Sequence, residues 1–268
     1  MEKLSEKEES LNETERAELT FNRFNNFKSA VDKAMEIAEQ NSTDVKATSK
    51  VNNPEPQNAA PEKLIADPIV EKTIRKSLKK PAGELTKADL EKVTRLDLWL
   101  NQLTEWPKEL ENLTQLTVLA LNDNKLTDVK GLENLTQLTR LDLDDNKLTE
   151  VPKELEKLTK LKTLFLSRNQ LTSVKDLEKP RQLEVLRLDG NKLTDVKGLE
   201  KLTQLQFLSL ASNQLTDSDV KGLEKLTQLT YLGLDRNQLT EIPNGLEKLT
   251  QLKELRLQDN PAHKGTDC

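Results

Sequence analysis

Leucine spacing divides most of this chain into repeated units. The motif is Leu, two residues, Leu, one residue, Leu, two residues and Asn, as in Leu116, Leu119, Leu121 and Asn124. It occurs eight times from residue 93 to residue 260, at intervals of 22 to 24 residues. The asparagines that close the motif are Asn101, Asn124, Asn146, Asn169, Asn191, Asn213, Asn237 and Asn260. A period of this length, sustained over many copies, is typical of a solenoid.

Each unit predicts one short β-strand. Leu119 and Leu121 flank Ala120, and this period of two puts both leucines on one face of a strand. Because so short a strand cannot bury that face alone, neighbouring units are expected to stack as a parallel sheet with about 4.8 Å between strands. Each closing Asn is expected to be buried, since its amide can satisfy backbone groups where the chain leaves the sheet.

The motif LxxLxLxxNxL, present from Val93 to Asn260, resembles that of the leucine-rich repeat family. The short units, mostly of 22 to 23 residues, resemble those of bacterial internalins and of repeat-type regulatory subunits of protein phosphatase. The resemblance implies an α/β solenoid, a horseshoe with one short parallel strand in each of eight repeats. It also implies that the concave sheet face binds other proteins, although it names no partner.

The residues around the repeats predict further segments. Residues 1–61 comprise a charged tail, an amphipathic helix over about residues 13–40, and a polar linker that contains proline. Three roles are open for this helix: it packs on the solenoid, it pairs with a copy of itself, or it docks a partner. Residues 62–92 predict a helical N-terminal cap whose helices begin at Asp67-Pro68 and at Thr86, with Asp89 completing a capping box.

The repeat domain is expected to span residues 93–260, followed by a C-terminal tail over residues 261–268. This tail holds too little apolar surface to cover the last repeat. Two interpretations are open. Either the natural chain continues beyond this point, or this end is covered by the N-terminal helix or by a second molecule.

Composition narrows the function classes. A net charge of −5 argues against a general nucleic-acid binder, which would carry a strong basic excess. No apolar run is long enough for a signal peptide or a membrane span, so we expect no membrane partner and a cytoplasmic location, with export after removal of a leader left open. His263 is the only histidine and Cys268 the only cysteine. We therefore expect a protein without enzymatic activity, cofactor or metal.

Outward positions of the predicted strands form four columns along the sheet, and the fourth holds the residue just before each closing asparagine. Val185, Phe207 and Tyr231 are consecutive in one column, while Phe165 and Arg187 lie nearby in the next. Aromatic residues with arginine are typical of protein interfaces, but cross-strand packing that only stiffens the sheet is the alternative.

A second group is acidic, because Asp123, Asp142, Asp144 and Asp145 fall on two adjacent strands. It could meet a basic partner segment, form a weak Ca²⁺ site or be a solvated rim. Of the two tryptophans, Trp106 is expected in the core and Trp99 on the concave face. The predicted partner-binding residues are Trp99, Arg140, Asp142, Asp144, Phe165, Val185, Arg187, Phe207 and Tyr231.

The sequence thus predicts an interaction module that binds a protein or peptide on its concave sheet face. The alternative is a structural, self-assembling repeat protein that associates through its N-terminal helix and its uncapped last repeat.

Overall fold

The computed structural model describes residues 63–263. The tail, amphipathic helix and linker predicted before residue 62 lie outside the described residues, and so do residues 264–268 of the predicted C-terminal tail. The chain divides into two units, at Ala60 and Pro61. The description that follows concerns the second unit.

Eight strands of three residues each form one parallel sheet, in the same order in space as in sequence. This architecture confirms the predicted leucine-rich repeat horseshoe. The strands are β1 (Arg95–Asp97), β2 (Val118–Ala120), β3 (Arg140–Asp142), β4 (Thr163–Phe165), β5 (Val185–Arg187), β6 (Phe207–Ser209), β7 (Tyr231–Gly233) and β8 (Glu254–Arg256).

The core consists mainly of leucine, with some valine and isoleucine and one tryptophan. The middle residue of every strand from β1 to β7 is a leucine with at most 1% of its surface exposed. These leucines stand in register, for example Leu164 opposite Leu186 and Leu186 opposite Leu208. In β8 the equivalent Leu255 is only partly buried. Stacking therefore buries a face that no single strand could bury.

Short 3₁₀ helices form the back of the solenoid, and each of those between two strands contributes a buried leucine. They span Lys108–Asn112, Leu132–Asn134, Lys153–Lys157, Lys175–Glu178, Leu199–Lys201, Leu223–Lys225 and Leu246–Lys248, and another follows at Pro261–His263. Four of them begin after a glycine with φ of 95° to 107°. In each of these four, a glutamate two residues later accepts a hydrogen bond from the glycine N–H, as Glu133 does from Gly131 at 2.9 Å.

The closing asparagines tie each repeat to the one before it. The Asn169 side-chain amide donates to the carbonyl groups of Leu143, one repeat earlier, and Leu166, in its own repeat. Its oxygen accepts from the Leu148 N–H at 3.0 Å. The seven asparagines from Asn124 to Asn260 are buried and repeat this pattern, which confirms the role predicted for them. Asn101, which has no repeat before it, is only half-buried and donates to the Trp99 carbonyl.

Two helices precede the sheet. Helix α1 (Pro68–Leu78) begins at Asp67, whose carboxylate accepts from the Ile69 and Val70 N–H groups, and helix α2 (Lys87–Leu90) begins with a capping box between Thr86 and Asp89. Both starts agree with the prediction. Val70 and Ile74 are buried against the core, and the Ser77 hydroxyl donates to the Arg95 carbonyl of β1. Helix α1 therefore lies along the open edge of the first strand, which would otherwise be free to pair.

One column of supposedly outward strand positions is instead a turn. Eight residues just before the closing asparagines have left-handed backbones with φ of 51° to 66°. They are Leu100, Asp123, Asp145, Arg168, Gly190, Ser212, Arg236 and Asp259. One of them is glycine and three are aspartate, which tolerates a left-handed backbone better than most residues, but this backbone is costly for the other four. The N–H groups of the first seven bond to the next repeat, as Asp145 does to the Ser167 carbonyl at 2.9 Å, and this hydrogen bonding holds the turn in place.

Replacing Asn169 by alanine leaves the Leu148 N–H and the Leu143 and Leu166 carbonyl groups without their buried partner. We expect the free energy of unfolding to fall by about 3 kcal/mol or more, because each unsatisfied buried group costs about 1–3 kcal/mol. Urea unfolding followed by circular dichroism measures the change. The control is Gln170→Ala at the exposed neighbouring position, and equal stability of the two variants would contradict the role given to Asn169.

Candidate functional site

The strand register determines which side chains are neighbours on the outward face of the sheet. Val185 of β5, Phe207 of β6 and Tyr231 of β7 are consecutive partners. One position further along the strands, Phe165 of β4 is the partner of Arg187 of β5. The structure therefore brings together five of the residues singled out from the sequence.

Phe207 and Tyr231 stack on each other. Their ring centroids are 4.2 Å apart and their planes differ by 4°. The distance follows from the sheet, since neighbouring strands lie about 4.8 Å apart. Both side chains are half-buried. The far face of Tyr231 is covered by Arg256, whose guanidinium carbon lies 5.8 Å from the ring centre. The Arg256 Nε in turn donates to Glu254 at 2.5 Å.

Phe165 contacts two guanidinium groups. The Arg140 group lies 4.8 Å and the Arg187 group 5.4 Å from the centre of its ring. Such cation–π contacts contribute about 0.5–1 kcal/mol at exposed sites and more where water is excluded. They explain why arginine and phenylalanine occur on neighbouring strands of this face.

A network of charged and hydroxyl groups underlies the aromatic side chains. Arg187 lies 3.5 Å from the Asp189 carboxylate and 3.9 Å from that of Asp144. Asp189 also accepts hydrogen bonds from the hydroxyl groups of Ser167 and Ser209. Arg187 is thus held by carboxylates while its guanidinium faces Phe165, so its direction is fixed before any partner arrives.

The acidic group is not a solvated rim throughout, which corrects that interpretation. Asp144 is buried, with 6% of its surface exposed, and its carboxylate accepts from the Ser167 N–H at 2.5 Å. Asp145 pairs with Arg168, and its Oδ1 lies 2.6 Å from the Arg168 Nε. Asp142 is half-buried and accepts from the Asp144 N–H. Asp123 accepts from the Asn122 side-chain amide at 2.7 Å, so all four carboxylates have partners within the protein.

Burial changes the protonation of this group. Removal from water, followed by the neighbouring Asp142 carboxylate, raises the pKa of the Asp144 carboxyl from 3.8 to about 7, against the opposing effect of Arg187. Burial also raises the pKa of Asp142. Between residues 63 and 263, no group of three or more His, Cys, Asp or Glu side chains is arranged to hold a metal ion.

The aromatic and charged side chains surround a groove of about 450 Å³, which we call the aromatic groove. Phe165, Val185, Phe207 and Tyr231 supply its apolar surface, and Arg187 lies among them. Five lining residues that the sequence did not single out are Asp189, Ser209, Ala211, Asp235 and Arg256. A signal for them existed, because all five stand in outward columns next to the aromatic residues.

The other predicted residues lie outside the groove. Arg140 adjoins it through Phe165, and Asp144 through Arg187. Asp142 lies beside Asp144. Trp99 is half-buried at the opposite end of the sheet, in the repeat of β1. Trp106 is buried in the core with 7% of its surface exposed, as predicted.

Comparison with known proteins agrees with this architecture. Models of the family described as leucine rich repeat match residues 91–148 and 136–193, a two-copy model matches 181–225, and a single-repeat model matches 228–249. A comparison with curated proteins gives no match.

Several solved protein structures are similar to this chain. Internalin C2 from Listeria monocytogenes has 33% sequence identity and a TM-score of 0.69, over 77% of this chain and 91% of that one. A leucine-rich repeat protein from Leptospira interrogans has 35% identity and a TM-score of 0.60, over 66% of this chain and 46% of that one. A TDR receptor has 26% identity and a TM-score of 0.57, over 65% and 32%.

The parallel one-strand repeats define a solenoid repeat protein. Together with these matches, they show that the chain belongs to the leucine-rich repeat family and that its repeats are internalin-like. Proteins of this family are generally protein-interaction modules. Within residues 63–263, no helix is both long enough and apolar enough to cross a membrane.

The raised pKa of Asp144 makes stability depend on pH. The folded state holds the proton more tightly than the unfolded state, whose pKa is near 3.8. The stabilising contribution of Asp144 to the free energy of unfolding is therefore complete below about pH 3.8, and it is lost as the pH rises through about 7. We expect the unfolding free energy of the natural protein, minus that of Asp144→Asn, to fall across this range by at most about 1.4 kcal/mol per pH unit.

Urea unfolding at a series of pH values measures this difference. The exposed Asp128→Asn is the control, since it removes one carboxylate at an exposed position outside the buried group. Parallel pH profiles for the natural protein and Asp144→Asn would show that Asp144 titrates at its ordinary pKa.

Proposed function

We propose that this protein binds a protein or peptide partner on the concave face of its sheet, with the aromatic groove as the centre of the interface. The observation that supports this most is the pair Phe207 and Tyr231, which is stacked and yet half exposed. Large aromatic side chains in this position supply apolar contact area with few rotatable bonds to fix. Arginine beside them adds to the resemblance to an interface centre.

Pre-ordering of the groove supports the same proposal. Stacking fixes the Phe207 and Tyr231 rings, and carboxylates fix Arg187. A partner that meets side chains already in place loses less conformational entropy on binding. Arg140, Asp142, Asp144 and Trp99 would then belong to the surroundings of the interface rather than to its centre.

Other expectations from the sequence stay predictions. These are the cytoplasmic location, the lack of enzymatic activity, and association of the chain with its own copies. No separate observation among residues 63–263 favours self-assembly over the binding of another protein.

The proposal is tested by replacing Phe165, Phe207 and Tyr231 together with alanine. We expect partner affinity to fall by about 2 kcal/mol or more, roughly thirtyfold, because anchor residues of this kind dominate interfaces. Full-length chain is immobilised, proteins from a lysate of the source organism are captured, and the dissociation constant of each captured protein is measured by calorimetry.

The matched control is Ile242→Ala, which removes a large apolar side chain that is 62% exposed and lies outside the aromatic groove. The proposal expects a partner that the natural protein and the control retain and the triple variant loses. If the triple variant loses stability in a thermal melt and keeps every partner, the aromatic residues only stiffen the sheet.

A further inference from the structure

The floor of the aromatic groove is a notch two strands wide. The third strand positions from β5 to β8 are Arg187, Ser209, Gly233 and Arg256, so large side chains flank two small ones. With strands about 4.8 Å apart, the notch measures roughly 10 Å across. Ala211, two residues beyond Ser209, adds another small side chain to the lining. The aromatic groove above this floor, of about 450 Å³, has room for one long side chain.

Gly233 makes room for the Tyr231 side chain to lie over the sheet. A Cβ atom at this position would lie 3.0 Å from the Ser209 hydroxyl oxygen and 3.1 Å from the Tyr231 hydroxyl oxygen. The Tyr231 ring therefore leans over Gly233, with its hydroxyl at the edge of the notch. Aromatic surface from Phe207 and Tyr231 forms one wall.

Not every charged side chain around the notch has a partner within the protein. Arg187 is held by Asp144 and Asp189, and Arg256 by Glu254. Asp235 lines the groove as well. Its carboxylate makes no hydrogen bond or ion pair with any residue between 63 and 263, although only part of the residue is exposed. Each guanidinium group that lines the groove thus has a carboxylate at ion-pair distance, while the Asp235 carboxylate has no cation that close among the described residues.

We propose that the aromatic groove takes a lysine or arginine side chain of the partner. This inference rests on the proposed function and specifies the chemistry of the partner. The aliphatic stem of such a residue packs on the Phe207–Tyr231 wall, and its charged end reaches Asp235. An acidic side chain would meet guanidinium groups that already lie beside carboxylates of the protein. A purely apolar side chain would take Asp235 out of water without a partner, which is costly.

The test uses a random linear peptide library displayed on phage. Peptides are selected on the full-length natural protein, and those that also bind the triple alanine variant are removed, so that the remaining peptides depend on the groove. We expect these peptides to share a basic residue at one position. Replacing it by norleucine, which keeps the stem and removes the charge, should weaken binding to the natural protein by about tenfold or more.

The same replacement should have little effect on binding to Asp235→Asn, because the charge has lost its counterpart. Asp176→Asn is the matched control, since Asp176 is an exposed carboxylate on a 3₁₀ helix at the back of the solenoid. This variant should bind the peptides like the natural protein.

Groove-dependent peptides that lack a shared basic residue, or that bind Asp235→Asn unchanged, overturn this inference and leave the proposed function standing. A selection that yields no groove-dependent peptide counts against both.

Discussion

The hydrogen bonds of the closing asparagines are the interaction on which this structure depends. Wherever a three-residue strand ends, backbone groups turn inward and need partners that water cannot reach. One amide per repeat provides them, and it bonds to the preceding repeat as well as to its own, as Asn146 does to Leu121 and Leu143. The same contact therefore ends a strand and fixes its neighbour. A solenoid stabilised in this way is a sum of nearest-neighbour interactions.

This constraint decides which positions are free for recognition. The inward leucines and the closing asparagines are not free to vary, since each fills a buried site of fixed shape. The outward strand positions carry no such demand, and here the chain places Thr163, Val185, Phe207, Tyr231 and Glu254 one after another. The spacing of the strands then determines which of these side chains contact each other. Two aromatic residues on neighbouring strands at the same position are close enough to stack, so the sheet orders them without further contacts.

The sequence predicted the strands, their register and the first two outward columns correctly, because these follow from the period of the leucines alone. It failed where the outcome depends on backbone conformation or on side-chain direction. Asp145 and Arg168 were assigned to a column of the sheet, although they lie in a left-handed turn, a conformation that is uncommon for arginine and that aspartate only tolerates. The burial of Asp144 was missed because it depends on its neighbour in the next repeat, Ser167, whose N–H it accepts. The pairing of glycine with a glutamate two residues later could have been recognised, since Gly-Leu-Glu recurs in four repeats.

The acidic and aromatic groups, which the sequence suggested as separate features, form one network through Arg187. Its guanidinium faces the Phe165 ring, and it lies near the carboxylates of Asp144 and Asp189. A cation over a ring is held loosely on its own, but two carboxylates restrict its direction. Asp144 contributes to this restriction most strongly when ionised, and its burial opposes ionisation. The geometry of one wall of the aromatic groove is thus set by a carboxyl group on β3's repeat, which lies outside the groove.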